Sequence, residues 1–196
     1  MILFAGLGNP GQQYENTRHN IGRETLKKWA KASEIFAQGA KSPKAIAQDF
    51  ELNQKFNALI FKNKRVVLIL PETMMNKSGH AVGPAAKFFK IKPENIVILH
   101  DDADIELGRT KLSFNRSAAG HKGVESIKRA LQTEKFWRLR IGIQKKKRVD
   151  AMKLVLQKFT PVEELVLKKL KKKISAGLDW IIKEGPERAM NEINRN

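Results

Sequence analysis

Short apolar runs alternate along this chain with longer stretches of helical periodicity, and that alternation restricts its fold more than any other feature. Ile2–Ala5, Phe56–Phe61, Arg65–Leu70, Ile96–Leu99, Thr110–Phe114 and Leu139–Ile143 have the length and composition of strands. Helical spacing occupies Ile21–Phe36, Ser78–Phe89, Lys122–Leu131, Asp150–Gln157, Pro161–Lys183 and Pro186–Ile193. Asn63-Lys64 suits a hairpin turn, so one strand pair is antiparallel while helices separate the others. The pattern predicts an α/β, single-domain three-layer sandwich with a mixed central sheet flanked by helices, spanning residues 1–196. That length suffices for one substantial core. Ser78 and Thr160 are the expected helix N-caps, with Pro161 in a first turn. Leu165, Leu167, Leu170, Ile174, Leu178 and Ile181 are the expected buried stripe of the longest helix. Ala37–Asp49 is the least regular stretch, expected to be a mobile insertion.

Charge narrows the partners. Lysine and arginine number 38 against 20 aspartates and glutamates, a net +18 that favours polyanions, of which nucleic acid is the commonest soluble one. "RLRIGIQKKKR" (Arg138 to Arg148) carries six basic residues and no acid, and "KKLKKK" (Lys168 to Lys173) five more. No apolar run approaches the roughly 20 residues of a membrane helix. The opening Met1-Ile2-Leu3-Phe4 lacks the basic segment of a secretory signal. Without cysteine there is no disulfide, thiolate nucleophile or Cys-ligated zinc, and a cytoplasmic address is expected.

The first strand runs into Gly6-Leu7-Gly8-Asn9-Pro10-Gly11, a G-x-G-x-x-G sequence. In a dinucleotide site the third glycine opens a helix, and an acid follows a second strand about 20 residues on. Here Gln12 to Thr17 lack apolar periodicity, helical spacing begins near Ile21, and Glu34 lies within that helix pattern. The context therefore fails. Glycines and proline also let a backbone turn sharply toward a ligand, and this loop presents Asn9, Tyr14 and His19.

"VILHDDADIELG" (Val97 to Gly108) follows another strand, which places His100, Asp101, Asp102 and Asp104 at the sheet edge where α/β ligands collect. Two chemistries remain open beside simple turn capping. The aspartates could hold Mg²⁺, or one could fix the His19 tautomer so that the free ring nitrogen takes a proton from water. No serine lies in G-x-S-x-G, since Lys173 precedes Ser175 where the first glycine should be. Water activated by His19 is the simplest hydrolytic scheme. "PETMMNKSGHAVG" sets Met74, Met75 and Asn76 between a strand and a helix, and in "SAAGHKG" His121 and Lys122 open a helix whose amides can meet an anion.

Together "GLGNPGQQYENTRHNIG", "PETMMNKSG", "HDDADIELG", "AGHKG", "FWRLRIGI" and "LQKFTPVE" resemble, in order and spacing over most of the chain, the bacterial peptidyl-tRNA hydrolases. The resemblance implies a single mixed-sheet α/β domain that cleaves the ester between a peptide and the 3′ end of tRNA, with no metal or cofactor. It implies a cytoplasmic monomer without an obligate protein partner. Carried over by position, His19 is the base, Asp101 holds it, and Asn9 contacts the peptide. Tyr14, Met74, Met75, Asn76, His121 and Lys122 fall on the substrate side, and Lys111 and Arg140 face tRNA phosphates.

Three positions depart from the family pattern. Lys122 replaces a usual asparagine, Ser113 replaces a basic residue that commonly clamps the tRNA 5′ phosphate, and Gln144 to Arg148 replace a glycine-containing turn. Two rival readings stay open: a non-catalytic RNA-binding relative, and a Mg²⁺ phosphohydrolase built on Asp101, Asp102 and Asp104.

Overall fold

Alternate residues of the central strands face opposite sides of one sheet, and this divides the molecule into layers. The computed structural model describes residues 1–33 and 50–195. Its strands are β1 (Ile2–Gly6), β2 (Glu51–Asn53), β3 (Ala58–Lys62), β4 (Val66–Pro71), β5 (Ile96–Glu106), β6 (Thr110–Phe114) and β7 (Trp137–Gln144). Its helices are α1 (Ile21–Ala32), α2 (Gly79–Phe88), α3 (Lys122–Leu131), α4 (Ala151–Val155), α5 (Pro161–Glu184) and α6 (Pro186–Asn194). Phe4, Leu68, Leu70, Val97, Leu99, Leu139 and Ile141 meet Leu26 and Trp29 of α1, Leu170 and Ile174 of α5 and Ile193 of α6. Leu3, Ala5, Val67, Ile69, Ile96 and Ile98 meet Val82 and Ala85 of α2 and Val124 and Ile127 of α3. The result is the expected three-layer α/β sandwich.

Strand order is β2-β3-β4-β1-β5-β7-β6. β1 pairs in parallel with β4 and β5, and β5 with β7; the outer pairs β2–β3, β3–β4 and β6–β7 are antiparallel. Asn63 makes the β3–β4 turn, its side-chain oxygen accepting from the amides of Arg65 and Val66. β1 sits between β4 on one side and β5 on the other, while α1 and α2 cover opposite faces. The carboxyl ends of β1 and β5 thus border the crevice where a sheet of this kind takes its ligand.

Several boundaries move. β5 continues seven residues past the expected Ile96–Leu99 to Glu106, because His100, Asp101 and Asp102 pair with Arg140, Ile141 and Gly142 of β7 and Glu106 rejoins Gln144 after a bulge. β2 has only Leu52 as an apolar residue, and that side chain is exposed, so no alternation marks it. Leu165 is 67% exposed. It lies two residues before Leu167, about 200° around the helix from the buried face. Ser78 precedes α2 without capping it; its hydroxyl donates to Met75 O. Thr160 and Glu163 do form a reciprocal capping box. The end of the first predicted helix, Glu34 and the stretch Ala37–Asp49 lie outside the described residues. Among the described residues no helix is long and apolar enough to cross a membrane.

Candidate active site

The chain leaves β1 at Gly6, turns at Gly11 with φ 103°, and returns through a short turn of 3-10 helix, Arg18–Asn20, directly into α1. A Cβ on Gly22 would stand 2.2 Å from Leu99 O, so only glycine lets the start of α1 rest on β5. That close approach brings His19 over the end of β5. Helix α1 opens ten residues after Gly11, consistent with failure of the dinucleotide reading.

His19 Nδ1 lies 2.9 Å from Asp101 Oδ1. The carboxylate only accepts, so Nδ1 carries the proton and Nε2 is left with a free lone pair. His121 Nε2 lies at the same distance from the same oxygen. His121 is also the N-cap of α3, its Nδ1 accepting from the amides of Gly123 and Val124. Those two amides fix the His121 proton on Nε2, and it too donates to Asp101. Burial alone would raise the Asp101 carboxyl. The electropositive edge of His121, its hydrogen bond, and then the contributions of His19 outweigh burial and hold the carboxyl well below the usual carboxylate range. Behind them, His100 is buried, its Nδ1 donating to Asp101 O and its ring centroid 4.7 Å from that of His121 in an edge-on arrangement. Burial first, then the neighbouring His121, depress His100 far below the usual histidine value, which keeps it neutral.

Asn9 completes the pocket. The Asn20 side chain grips its main chain, accepting from Asn9 N and donating to Asn9 O. Asn9 Oδ1 accepts from Met75 N at 2.7 Å, which orients the amide so that Nδ2 is the remaining donor. Met75 reaches the site through this amide alone, because its side chain is 4% exposed and packs in the core. Met74 is 44% exposed, Asn76 is exposed, and Tyr14 is half-buried on the return loop.

His19, Asp101 and His121 are also the only His, Cys, Asp or Glu cluster with metal-ligand spacing among the described residues. Proton placement makes it a poor ligand set: His121 Nε2, the atom that would bind, must give up its proton while Nδ1 already faces two amide donors. The aspartates do not converge either. Asp102 Oδ2 accepts from Arg140 Nε and Oδ1 from Asp104 N, while Asp104 pairs with Arg148. This geometry removes the support for a Mg²⁺ site on Asp101, Asp102 and Asp104.

A cavity of about 840 Å³ opens over β6 and β7. Lys111 and Arg140 line it as a register pair, joined by Arg116 and the buried Arg138, two residues that sequence reasoning left without a role. Arg138 Nε and Ser113 Oγ are buried without a hydrogen-bond partner. Lys122 is exposed at the first residue of α3, with no contact to Asp101.

The sequence profile of the peptidyl-tRNA hydrolase family matches residues 3–196. The peptidyl-tRNA hydrolase of Aquifex aeolicus (strain VF5) is 41% identical over 194 residues, covering 98% of this chain and 96% of that protein. That of Desulfitobacterium hafniense (strain Y51) is 39% identical over 201 residues, covering the whole of both. The crystal structure of the Acinetobacter baumannii peptidyl-tRNA hydrolase superposes with a TM-score of 0.84 at 30% identity, over 100% of this chain and 95% of that one. With this agreement in sequence and fold, the chain belongs to the peptidyl-tRNA hydrolase family of enzymes.

Proposed function

We propose that this enzyme hydrolyses the ester between a peptide, or another N-blocked aminoacyl group, and the 3′ end of tRNA, by His-activated water and without a covalent intermediate. The observation that carries the reading is the His19–Asp101 contact, which commits Nδ1 to the carboxylate and leaves Nε2 to act as base. Nε2 takes a proton from water as its oxygen attacks the ester carbonyl. Asn9 Nδ2 donates to the developing oxyanion. The imidazolium, supported by Asp101, then returns the proton to the departing 3′ oxygen of tRNA. Tyr14, Met74 and Asn76 border the acceptor end, and His121 and the Met75 amide hold Asp101 and Asn9 in place. Lys111, Arg140 and Lys122 meet tRNA phosphates. No step needs a metal or cofactor, and the reading is of a cytoplasmic monomer with no obligate protein partner.

The test is single-turnover cleavage of N-blocked aminoacyl-tRNA. His19→Ala lowers the rate by roughly 10²–10⁴-fold, the usual worth of a positioned base, while tRNA binding is retained and chelator leaves the wild type unaffected. Near-wild-type cleavage by His19→Ala, or loss of activity with chelator, would overturn it.

A further inference from the structure

The geometry points to Arg18 as a positioning residue for His19, acting with Glu163 of α5; the inference rests on the reading of His19 as the base. Arg18 immediately precedes His19 and is wholly buried, at 0% exposure. Its Nη2 donates to both carboxylate oxygens of Glu163 at 2.7 Å, and Nη1 donates to Ile143 O at 3.2 Å. The guanidinium lies 4.6 Å over the Phe159 ring. The Arg18 amide donates to Gln157 O, and Thr17 bridges Lys158. On the other side of His19, Asn20 is tied to Asn9. The histidine is therefore fixed from both neighbours, one bound to the start of α5 and the end of β7, the other to the β1 loop.

Stability alone gives a weak reason for this arrangement. A buried ion pair is often matched or bettered by apolar residues of the same volume, and Arg18 Nε remains without a partner. What the pair supplies is direction. With Nη2 on the Glu163 carboxylate and Nη1 on the Ile143 carbonyl, the planar guanidinium is fixed in orientation as well as position. Glu163 is itself anchored, because Oε2 also accepts from Thr160 N in the capping box. Adjacent Cα atoms are about 3.8 Å apart, so a shift at Arg18 passes directly to its neighbour. A 1 Å misplacement of a catalytic group can cost about 10²-fold.

Arg18→Lys and Glu163→Gln are made in the wild type and in His19→Ala, with kcat, KM and the thermal midpoint measured for each. Glutamine preserves the capping box but leaves the buried Arg18 charge unpaired, so kcat is read below the thermal midpoint of each variant. Both substitutions lower kcat by about 10- to 100-fold, with KM changed by less than about threefold, because they act on the position of the base and not on substrate binding. In His19→Ala the same substitutions change the residual rate by less than about twofold, since their effect passes through the missing imidazole. Wild-type kcat in folded Glu163→Gln, a change confined to KM, or an undiminished loss in the His19→Ala background would overturn the inference. Full activity in His19→Ala itself would instead overturn the assignment of the base.

Discussion

The His19 pocket and the cavity over β6 and β7 lie on the same sheet but treat hydrogen bonding in opposite ways. In the pocket, Asp101 Oδ1 takes two histidines, Asn9 has its carbonyl occupied, and His121 is paired at both nitrogens. The exception is His100 Nε2, at the back. In the cavity, Arg138 Nε and Ser113 Oγ have no partner, Lys111 and Arg116 are exposed, and Glu187 is the single acid lining it. Satisfied hydrogen bonds hold reacting groups in one geometry, as bond making requires. Exposed cations such as Lys111 and Arg116 can meet a ligand that brings its own negative charge. On the proposed function, the contrast separates effects on kcat from effects on affinity.

The largest expected effect that sharpens this contrast is at Asp101. If His19 is the base, as proposed, Asp101→Asn removes the charge that supports its imidazolium and lowers kcat by about 10- to 100-fold, the worth of one charge-assisted hydrogen bond. KM and the salt dependence of tRNA binding stay put. The carboxyl is held below its ordinary value, so its contribution to stability is present above the unfolded pKa of about 3.9 and lost as pH falls further. Denaturation at neutral pH should find the variant less stable, with the gap to wild type closing only below about pH 4. A gap that closed near neutrality would mean that the two histidines do not hold this carboxyl down.

The cavity gives the complementary result. Lys111→Ala leaves kcat unchanged, raises KM, and reduces the log–log salt slope of tRNA binding by about 0.7 to 0.9, the share of one phosphate. Lys111 suits this test better than Arg140, whose removal would also strand the buried Asp102. A fall in kcat with unchanged salt slope would place the cavity in the chemical step and erase the contrast.

The two regions also differed in how far the sequence exposed them. Continuous apolar runs located the inner strands because consecutive residues such as Val67 and Leu68 are buried on opposite faces of one sheet. That an aspartate at the end of β5 could meet His19 followed from two loops expected at neighbouring strand ends, and Asp101 as that aspartate from the family resemblance. The second histidine on Asp101 did not, because its direction depends on the capping amides of Gly123 and Val124. Asp102 and Asp104 read as loop acids, yet they extend β5, where Arg140 and Arg148 offset the charge. Arg18 looked like one more basic residue. Its partner Glu163 lies 145 positions away, a separation that no local pattern reports. Arg138 was visible only as part of a basic run, since its burial is set by the register of β7 against β6.

Lys122 tests the smallest difference between the regions, because it sits on the helix that His121 caps yet behaves as a surface cation. The Asp101 oxygen is taken by two histidines, and Lys122 is exposed, so competition for that carboxylate is not what the fold provides. At the first residue of α3 its ammonium meets the positive end of the helix dipole, which costs about 0.3–1 kcal/mol. A phosphate placed there offsets the same charge. Lys122→Asn should therefore hold or slightly raise the unfolding midpoint while weakening tRNA binding and flattening its salt slope by a little under one unit. The opposite signs are the discriminating feature, since structural damage would lower both quantities. The pH dependence of kcat should not move. An unchanged salt slope with a displaced pH–rate profile would transfer Lys122 from the phosphate contacts to the surroundings of His19.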